Sequence, residues 1–352
     1  MRAAVCHGAK DLRVERLTER ALAPDEVLVK VAFGGICGSD MHYFHRGAVG
    51  DFALREPMVL GHEISGTVAA WGDRVTGLVV GQKAALDPSL ACRKCRYCIG
   101  GRSNLCLDMR FLGSAGGYPH VQGGFAQTLV LRADQVIPVP QATDLLKLSI
   151  AEPLSVALHA VRRAGDLMGR RVIVTGSGPI GLLTAQAAVR AGASFVLSTD
   201  VEDAPLAVAR EKIGVDATVN VRTDPDGLAA YEADDLRFDV AVEASGSAFA
   251  LNSLFDVVRR GGKIVQLGML PPGPAAIPVN RLQTTEIEFV GAFRAHDEFA
   301  QAVQMIVDNK VDVTPILSGT YRLDDAVEAF EKAGDRTQVV KLHLDMREEE
   351  LA

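Results

Sequence analysis

The chain has 352 residues, 48% of them hydrophobic and 23% charged, with a formal net charge of −7. This length allows two domains with cores of their own, and an acidic balance without any basic run excludes nucleic acid as an expected partner. Six cysteines are too few for a disulfide scaffold. Met1 to Lys30 lacks the apolar stretch of a signal peptide, and no uninterrupted apolar window reaches about eighteen residues, so a soluble cytoplasmic protein without a membrane segment is expected.

The first half reads as short strands and turns. Val27 to Val31 is strand-like and runs into Gly34-Gly35, and Glu63 to Val68 reads as another strand. Cys6 reads as a small strand residue. Glycines gather between Gly113 and Gly124, which suggests a loop region near a site. From Ser149 onward the texture changes. Ile150 to Ala164 reads as a helix with Pro153 in its first turn. Arg171 to Thr175 is a short apolar run suited to a buried parallel strand, followed by a helix from Pro179 to Arg190. Phe195 to Asp200 is the next strand and Ala204 to Ile213 the next helix, stopped by Gly214. Strands Asp239 to Glu243 and Lys263 to Leu267 flank a helix from Phe249 to Arg260. This alternation predicts a doubly wound parallel sheet. The run Lys263 to Leu267 is placed near the sheet edge, where it would join subunits.

Pro271-Pro272-Gly273-Pro274 breaks the pattern. A strand (Ile287 to Ala292), a helix (Asp297 to Asn309), a strand (Ile316 to Tyr321), a helix (Asp324 to Lys332) and a final run from Val339 to Leu344 follow. This tail is expected to return and complete the first domain. The expected division is 1–150 with 287–352 for one domain and 151–286 for the inserted one.

Three groups of residues carry chemistry. Cys92, Cys95, Cys98 and Cys106 are separated by two, two and seven residues. Four thiolates around one point match the tetrahedral demand of a structural zinc, and a pair of disulfides is the alternative. Gly176-Ser177-Gly178-Pro179-Ile180-Gly181 follows a strand and opens a helix. Its glycines would let backbone N–H groups approach a pyrophosphate at the positive end of the helix; a tight turn without ligand is the alternative. Asp200 ends the next strand, 19 residues past Gly181. A carboxylate there would accept from ribose hydroxyls and repel a 2′-phosphate, which favours NAD over NADP; otherwise it is a strand-end turn residue. The third group is Cys37, His62 and Glu63, with Glu152 in Ala151-Glu152-Pro153-Leu154. Alone, each has an ordinary structural reading. Together they supply the sulfur, nitrogen and carboxylate donors of a catalytic zinc with an open position.

These motifs resemble the zinc-dependent medium-chain dehydrogenases of the alcohol and sorbitol dehydrogenase family, over essentially the whole chain. The resemblance rests on Gly35-Ile36-Cys37-Gly38-Ser39-Asp40, Gly61-His62-Glu63, the four-cysteine lobe, Ala151-Glu152-Pro153-Leu154 and the glycine loop. It implies an α/β protein: a GroES-like β-rich catalytic domain carrying two zinc ions, and a doubly wound Rossmann domain for NAD. It further implies that Cys37, His62 and Glu63 hold the catalytic zinc, while Glu152 either ligates transiently or holds the metal-bound water. A first-turn acid favoured by the helix dipole remains the plain reading of Glu152. Ser39 and His42 match the family's proton-relay positions, and Asp40 would accept the second ring N–H of His62. Gly176, Gly178, Pro179, Ile180, Gly181, Asp200, Leu267, Gly268, Met269, Ala292, Phe293 and Arg294 would line the cofactor.

Tyr43 and Arg294 match positions that contact substrate hydroxyls in sorbitol dehydrogenases. A guanidinium such as that of Arg294 would also grip a carboxylate through paired hydrogen bonds. The stretches around Met41 to Phe44, Pro57 to Leu60, Asp108 to Ser114, Pro119 to Val121, Gly291 to Arg294 and Ala333 to Gln338 resemble the branch acting on L-idonate. Arg110 and His120 lie in such stretches and are candidates for the same task, with an ordinary loop role as the alternative. The implied reaction is oxidation of the sugar acid L-idonate to 5-dehydro-D-gluconate. A polyol dehydrogenase acting on sorbitol, xylitol or L-iditol is the first alternative, and an inactive dinucleotide-binding sensor the second. Two positions depart from the sorbitol pattern. Pro205 stands where an Arg follows the ribose-binding Asp by five residues, and Ala295 stands where a Tyr follows the substrate Arg. The family forms dimers or tetramers, so a homo-oligomer is expected.

Overall fold

A computed structural model describes residues 1–347 and divides the chain into two compact units. One comprises Met1–Glu152, Phe299–Asp335 and the segment from Lys341 onward; the other comprises Pro153–Glu298 and Arg336–Val340. Residues 348–352, the end of the expected first domain, lie outside the described residues.

The first unit is built on a mostly antiparallel sheet. Its strand order is Val136–Pro138, Lys83–Leu86, Glu63–Trp71, Glu26–Gly35, Lys341–Asp345, Leu317–Arg322, with Thr128–Arg132 pairing the early part of Glu26–Gly35. Glu63 faces Gly35 across the antiparallel pair of Glu63–Trp71 and Glu26–Gly35. A smaller sheet comprises Arg2–Gly8, Asp11–Arg16 and Met58–Val59, and Cys6 is a strand residue there as expected. Phe44, Phe125 and Phe330 pack edge to face, with Phe330 ring centroids 5.4 Å from Phe44 and 6.1 Å from Phe125. This buried cluster holds the helix Gly38–Arg46, and with it Cys37 at the helix N-cap.

The second unit is the expected doubly wound sheet. Six parallel strands run in the order Ala217–Asn220, Phe195–Asp200, Arg171–Thr175, Phe238–Glu243, Val258–Gln266, Glu288–Gly291. The crossovers place helices Pro179–Arg190 and Ala248–Val257 against it. Ile173, Leu197, Phe238, Leu254, Phe255 and Ile264 are fully buried in its core. Truncating one of them to Ala would cost about 2–5 kcal/mol.

Two expectations need correction. Residues 287–298 do not open the returning domain, because Glu288–Gly291 pairs in parallel with Val258–Gln266 and extends the sheet. The proline-rich break is a loop inside that last crossover, so it does not end the unit. The run from Lys263 lies one strand in from the sheet edge, near it as expected. It is flanked by Phe238–Glu243 and Glu288–Gly291, and the open edges are Glu288–Gly291 and Ala217–Asn220. The helix expected to reach Arg260 ends at Val257, since Val258 already begins the following strand.

Candidate active site

In the first unit, Cys37, His62 and Glu63 converge. One donor atom from each lies within 4.8 Å of the others, although Cys37 precedes His62 by 25 residues. Local backbone sets this up. Asp40 accepts the Cys37 N–H at 3.0 Å and the Gly61 N–H at 3.1 Å, which ties the helix start to the His62 turn. Gly61 has φ +94°, and a Cβ there would lie 2.3 Å from the Phe125 ring. The glycine-rich segment closes over the same turn: a Cβ on Gly124 would meet Ile64 at 2.1 Å. A Cβ on Gly35 would come within 2.2 Å of a Glu63 oxygen, so bare backbone at 35 lets the carboxylate reach its position.

The expected His62–Asp40 hydrogen bond is not formed. His62 Nδ1 lies 3.8 Å from Asp40, an ion-pair distance, and Asp40 is committed to the two backbone amides instead. Burial opposes charge on His62, but Asp40, Cys37 and Glu152 together push it up to about 10. Such concentrated negative charge favours a cation, and sulfur, imidazole and carboxylate donors are those of zinc. Glu152 sits in the first turn of the helix Ala151–Ala164, outside the three-donor cluster, and its charge acts on both His62 and Lys341.

Lys341 is the residue sequence reasoning missed. Its Nζ donates to both Glu63 oxygens at 2.6 and 2.8 Å and to the Ile36 carbonyl at 3.1 Å, fully buried. A lone Lys in a distant strand offers no sequence signal. Its Val-Val-Lys-Leu setting, where an apolar residue would be ordinary, is the only hint.

Ser39 and His42 lie on the helix that Cys37 caps. His42 is exposed, and its pKa is lowered by partial burial first and then by the charges of Arg46 and His45. Tyr43 is buried and its hydroxyl accepts the Ala115 N–H at 2.9 Å. Arg110 is exposed, on a two-residue strand paired with Ser89–Leu90. His120 does not fit a substrate role. It is buried, with Nε2 accepting the Arg55 N–H at 2.9 Å and Nδ1 2.8 Å from the Gly117 carbonyl. Both ring nitrogens therefore brace the loop.

The four-cysteine lobe lies in the same unit. Sγ atoms of Cys92, Cys95, Cys98 and Cys106 are all within 4.8 Å of one another, and all are free thiols. This convergence fits a tetrahedral metal and not two disulfides. Backbone hydrogen bonds, the Leu107 amide first, pull the Cys95 thiol down, while burial and the neighbouring Cys95 push Cys98 up.

In the second unit the glycine loop does what its spacing requires. Gly176 has φ +84°, and a Cβ on Gly181 would stand 1.7 Å from the Gly176 carbonyl oxygen. Gly178 caps the helix Pro179–Arg190 and Pro179 occupies its first turn, leaving the helix start open to an anion. Asp200 is buried at the strand end and accepts the N–H groups of Ser177 at 2.6 Å, Val201 at 2.7 Å and Glu202 at 3.1 Å. A cavity of about 180 Å³ lined by Thr175, Thr199, Val221, Phe249 and Asp256 lies in this unit. Leu267 and Gly268 donate to the Glu243 carbonyl, with Met269 exposed beyond them. Ala292 is buried, and the Arg294 guanidinium lies 4.9 Å over the exposed Phe293 ring.

Comparison with known proteins settles the family. Residues 23–141 match the alcohol dehydrogenase GroES-like domain, and residues 179–308 match the zinc-binding dehydrogenase domain. The chain belongs to the zinc-binding alcohol dehydrogenase family. This dehydrogenase is 40% identical over 317 residues to L-idonate 5-dehydrogenase (NAD(P)(+)) of Escherichia coli, covering 90% of this chain and 91% of that one. It is 35% identical over 337 residues to sorbitol dehydrogenase of Bacillus subtilis, covering 95% and 93%. The crystal structure of the Escherichia coli L-idonate 5-dehydrogenase superposes with a TM-score of 0.93 at 38% identity, covering 98% and 97%. No helix among the described residues is long and apolar enough to cross a membrane.

Proposed function

We propose that this dehydrogenase oxidises the C5 hydroxyl of L-idonate to 5-dehydro-D-gluconate, passing the hydride to NAD. The convergence of Cys37, His62 and Glu63 within 4.8 Å carries the chemistry of this reading. The 40% identity to the Escherichia coli enzyme supports the substrate. When bound, zinc supplies a Lewis acid that lowers a hydroxyl pKa from about 16 toward 7, and the dinucleotide supplies the hydride acceptor.

The chain's own residues do the rest. Cys37, His62 and Glu63 hold the catalytic metal, and Glu152 adds negative charge beside them. Ser39 and His42 take the alcohol proton toward solvent, for which the exposed, lowered-pKa imidazole of His42 is suited. The bond electrons of the carbinol C–H leave as hydride, the O–H proton passes to His42, and the carbinol becomes a ketone. The Arg294 guanidinium would grip the sugar-acid carboxylate, with Tyr43 and Arg110 as further substrate contacts. The glycine loop, Asp200 and the segments 267–269 and 292–294 hold the dinucleotide. Cys92, Cys95, Cys98 and Cys106 hold a second zinc, two per subunit in all. We propose a cytoplasmic homo-oligomer, dimer or tetramer.

A polyol dehydrogenase is the second reading, favoured by the similarity to the Bacillus subtilis sorbitol enzyme. Ala295, in place of the Tyr expected for sorbitol, speaks against it. Assays with L-idonate, sorbitol, xylitol and L-iditol separate the two. Arg294→Ala raises KM for L-idonate at least about tenfold more than for sorbitol, as a lost charge-assisted pair should. Equal effects on both substrates would remove the carboxylate grip. No turnover on the whole panel would leave a dinucleotide sensor.

A further inference from the structure

Asp200 is not a bare carboxylate. Besides three backbone amides, it accepts Nη2 of Arg336, at 2.8 Å on one oxygen and 3.1 Å on the other. A carboxylate offers about four lone-pair sites, so the expected ribose acceptor is already filled. The three amides are fixed by the chain, while the Arg336 side chain is about half exposed (52%) and commits one nitrogen to Asp200. The guanidinium is therefore the partner that can yield or turn. Pro205, where sorbitol dehydrogenases carry an Arg, is buried and offers no cation. In this chain the cation at the ribose-binding acid arrives from a position 136 residues later, within the same compact unit.

We propose that Arg336 reads the 2′ position of the adenosine ribose and lets this dehydrogenase accept NADP as well as NAD. The proposal rests on the dinucleotide reading of the glycine loop and Asp200. With Arg336 in place the negative charge of Asp200 is offset, so a 2′-phosphate is no longer repelled. The nitrogens of Arg336 not used on Asp200 give that phosphate charge-assisted donors. Toward NAD the same guanidinium stays on Asp200, or one of its donors meets a ribose oxygen. The expectation that Asp200 alone excludes NADP loses its electrostatic basis.

The test is a fluorescence titration of the zinc-loaded full chain with NADPH and with NADH, for wild type, Arg336→Ala and Arg336→Lys. Wild type should bind both within about tenfold of each other. Arg336→Ala should lower NADPH affinity relative to NADH by at least about tenfold, because Asp200 keeps its three amides and its charge. Arg336→Lys should restore part of that ratio. Equal loss for both dinucleotides, or no NADPH binding by wild type, would overturn the proposal. Binding of neither dinucleotide by wild type would overturn the glycine-loop reading with it. No sugar acid enters the measurement, so an error in the substrate assignment leaves the result standing.

Discussion

The ammonium of Lys341 meets both oxygens of Glu63, at 2.6 and 2.8 Å, with neither side chain open to solvent. A proposed metal ligand is thus shared with a buried cation. Burial alone would lower the lysine pKa, but Glu63 and then Cys37 raise it, so Lys341 stays charged. Lys341→Met leaves Glu63 an unpaired buried anion, at a cost of about 3–5 kcal/mol. Zinc held at the proposed site would offset part of that charge. The variant should therefore lose more thermal stability after chelation than when zinc-loaded, and scanning calorimetry in both states reads the difference. Equal losses would show that Glu63 does not share its charge with the metal.

The four-cysteine lobe has almost no core. Its short helix Arg96–Ile99 has no buried residue, and of the four cysteines only Cys106 is buried. With the proposed zinc bound, folding of this lobe should be coupled to metal binding. Cys98→Ser should bind one zinc fewer per chain and open the segment 92–106 to limited proteolysis, with the parallel-sheet unit still intact. Protection equal to wild type would exclude the structural metal.

Glu298 gives a pH signature of the parallel-sheet unit. Burial by itself raises a carboxyl, yet the hydrogen bond from His159 and the backbone N–H of His296 bring Glu298 down to about 2. Arg162 adds an ion pair at 3.0 Å. A lowered carboxyl pKa contributes stability that is complete above about pH 4.5 and lost as pH falls through about 2. Glu298→Gln should cost up to about 3 kcal/mol at pH 7, and the gap to wild type should close toward pH 2. Urea unfolding at several pH values measures it. A gap constant across that window would mean that Glu298 carries no linked proton.

Gly181→Ala tests the dinucleotide loop. Its Cβ would fall 1.7 Å from the Gly176 carbonyl oxygen, a backbone atom with no rotamer to escape into. The loop must open, and NADH affinity should fall at least about a hundredfold, the loss of roughly two charge-assisted contacts. Zinc content should stay at the wild-type value. Retained NADH affinity would move the cofactor elsewhere.

Much of the architecture is visible in the sequence because its signals are local. The glycine loop, the strand-helix alternation from Arg171 and the four cysteines each announce themselves within about thirty residues. Cys37, His62 and Glu63 needed a resemblance to link them, since nothing local says that residue 37 meets residue 62. The roles of Lys341 and Arg336 were not legible, although the stretch Ala333 to Gln338 and the Val-Val-Lys-Leu setting stand out. Each is an ordinary charged residue whose meaning comes from a carboxylate 278 or 136 positions away. The error at 287 has another cause. Pro271 to Pro274 is punctuation strong enough to look like the end of a domain, but a strand added at a sheet edge leaves no separate mark. His120 misled because a buried histidine serving backbone looks, in sequence, like one serving a ligand.

The long reach of Lys341 and Arg336 also bears on synthesis. A ribosome makes Glu63 and Asp200 long before it makes their cations, and the parallel sheet can assemble while both acids still wait. Both are completed only when nearly all of the polypeptide has emerged. A nascent chain cut short before residue 336 would carry both motifs in full and still lack the charge balance that each acid needs.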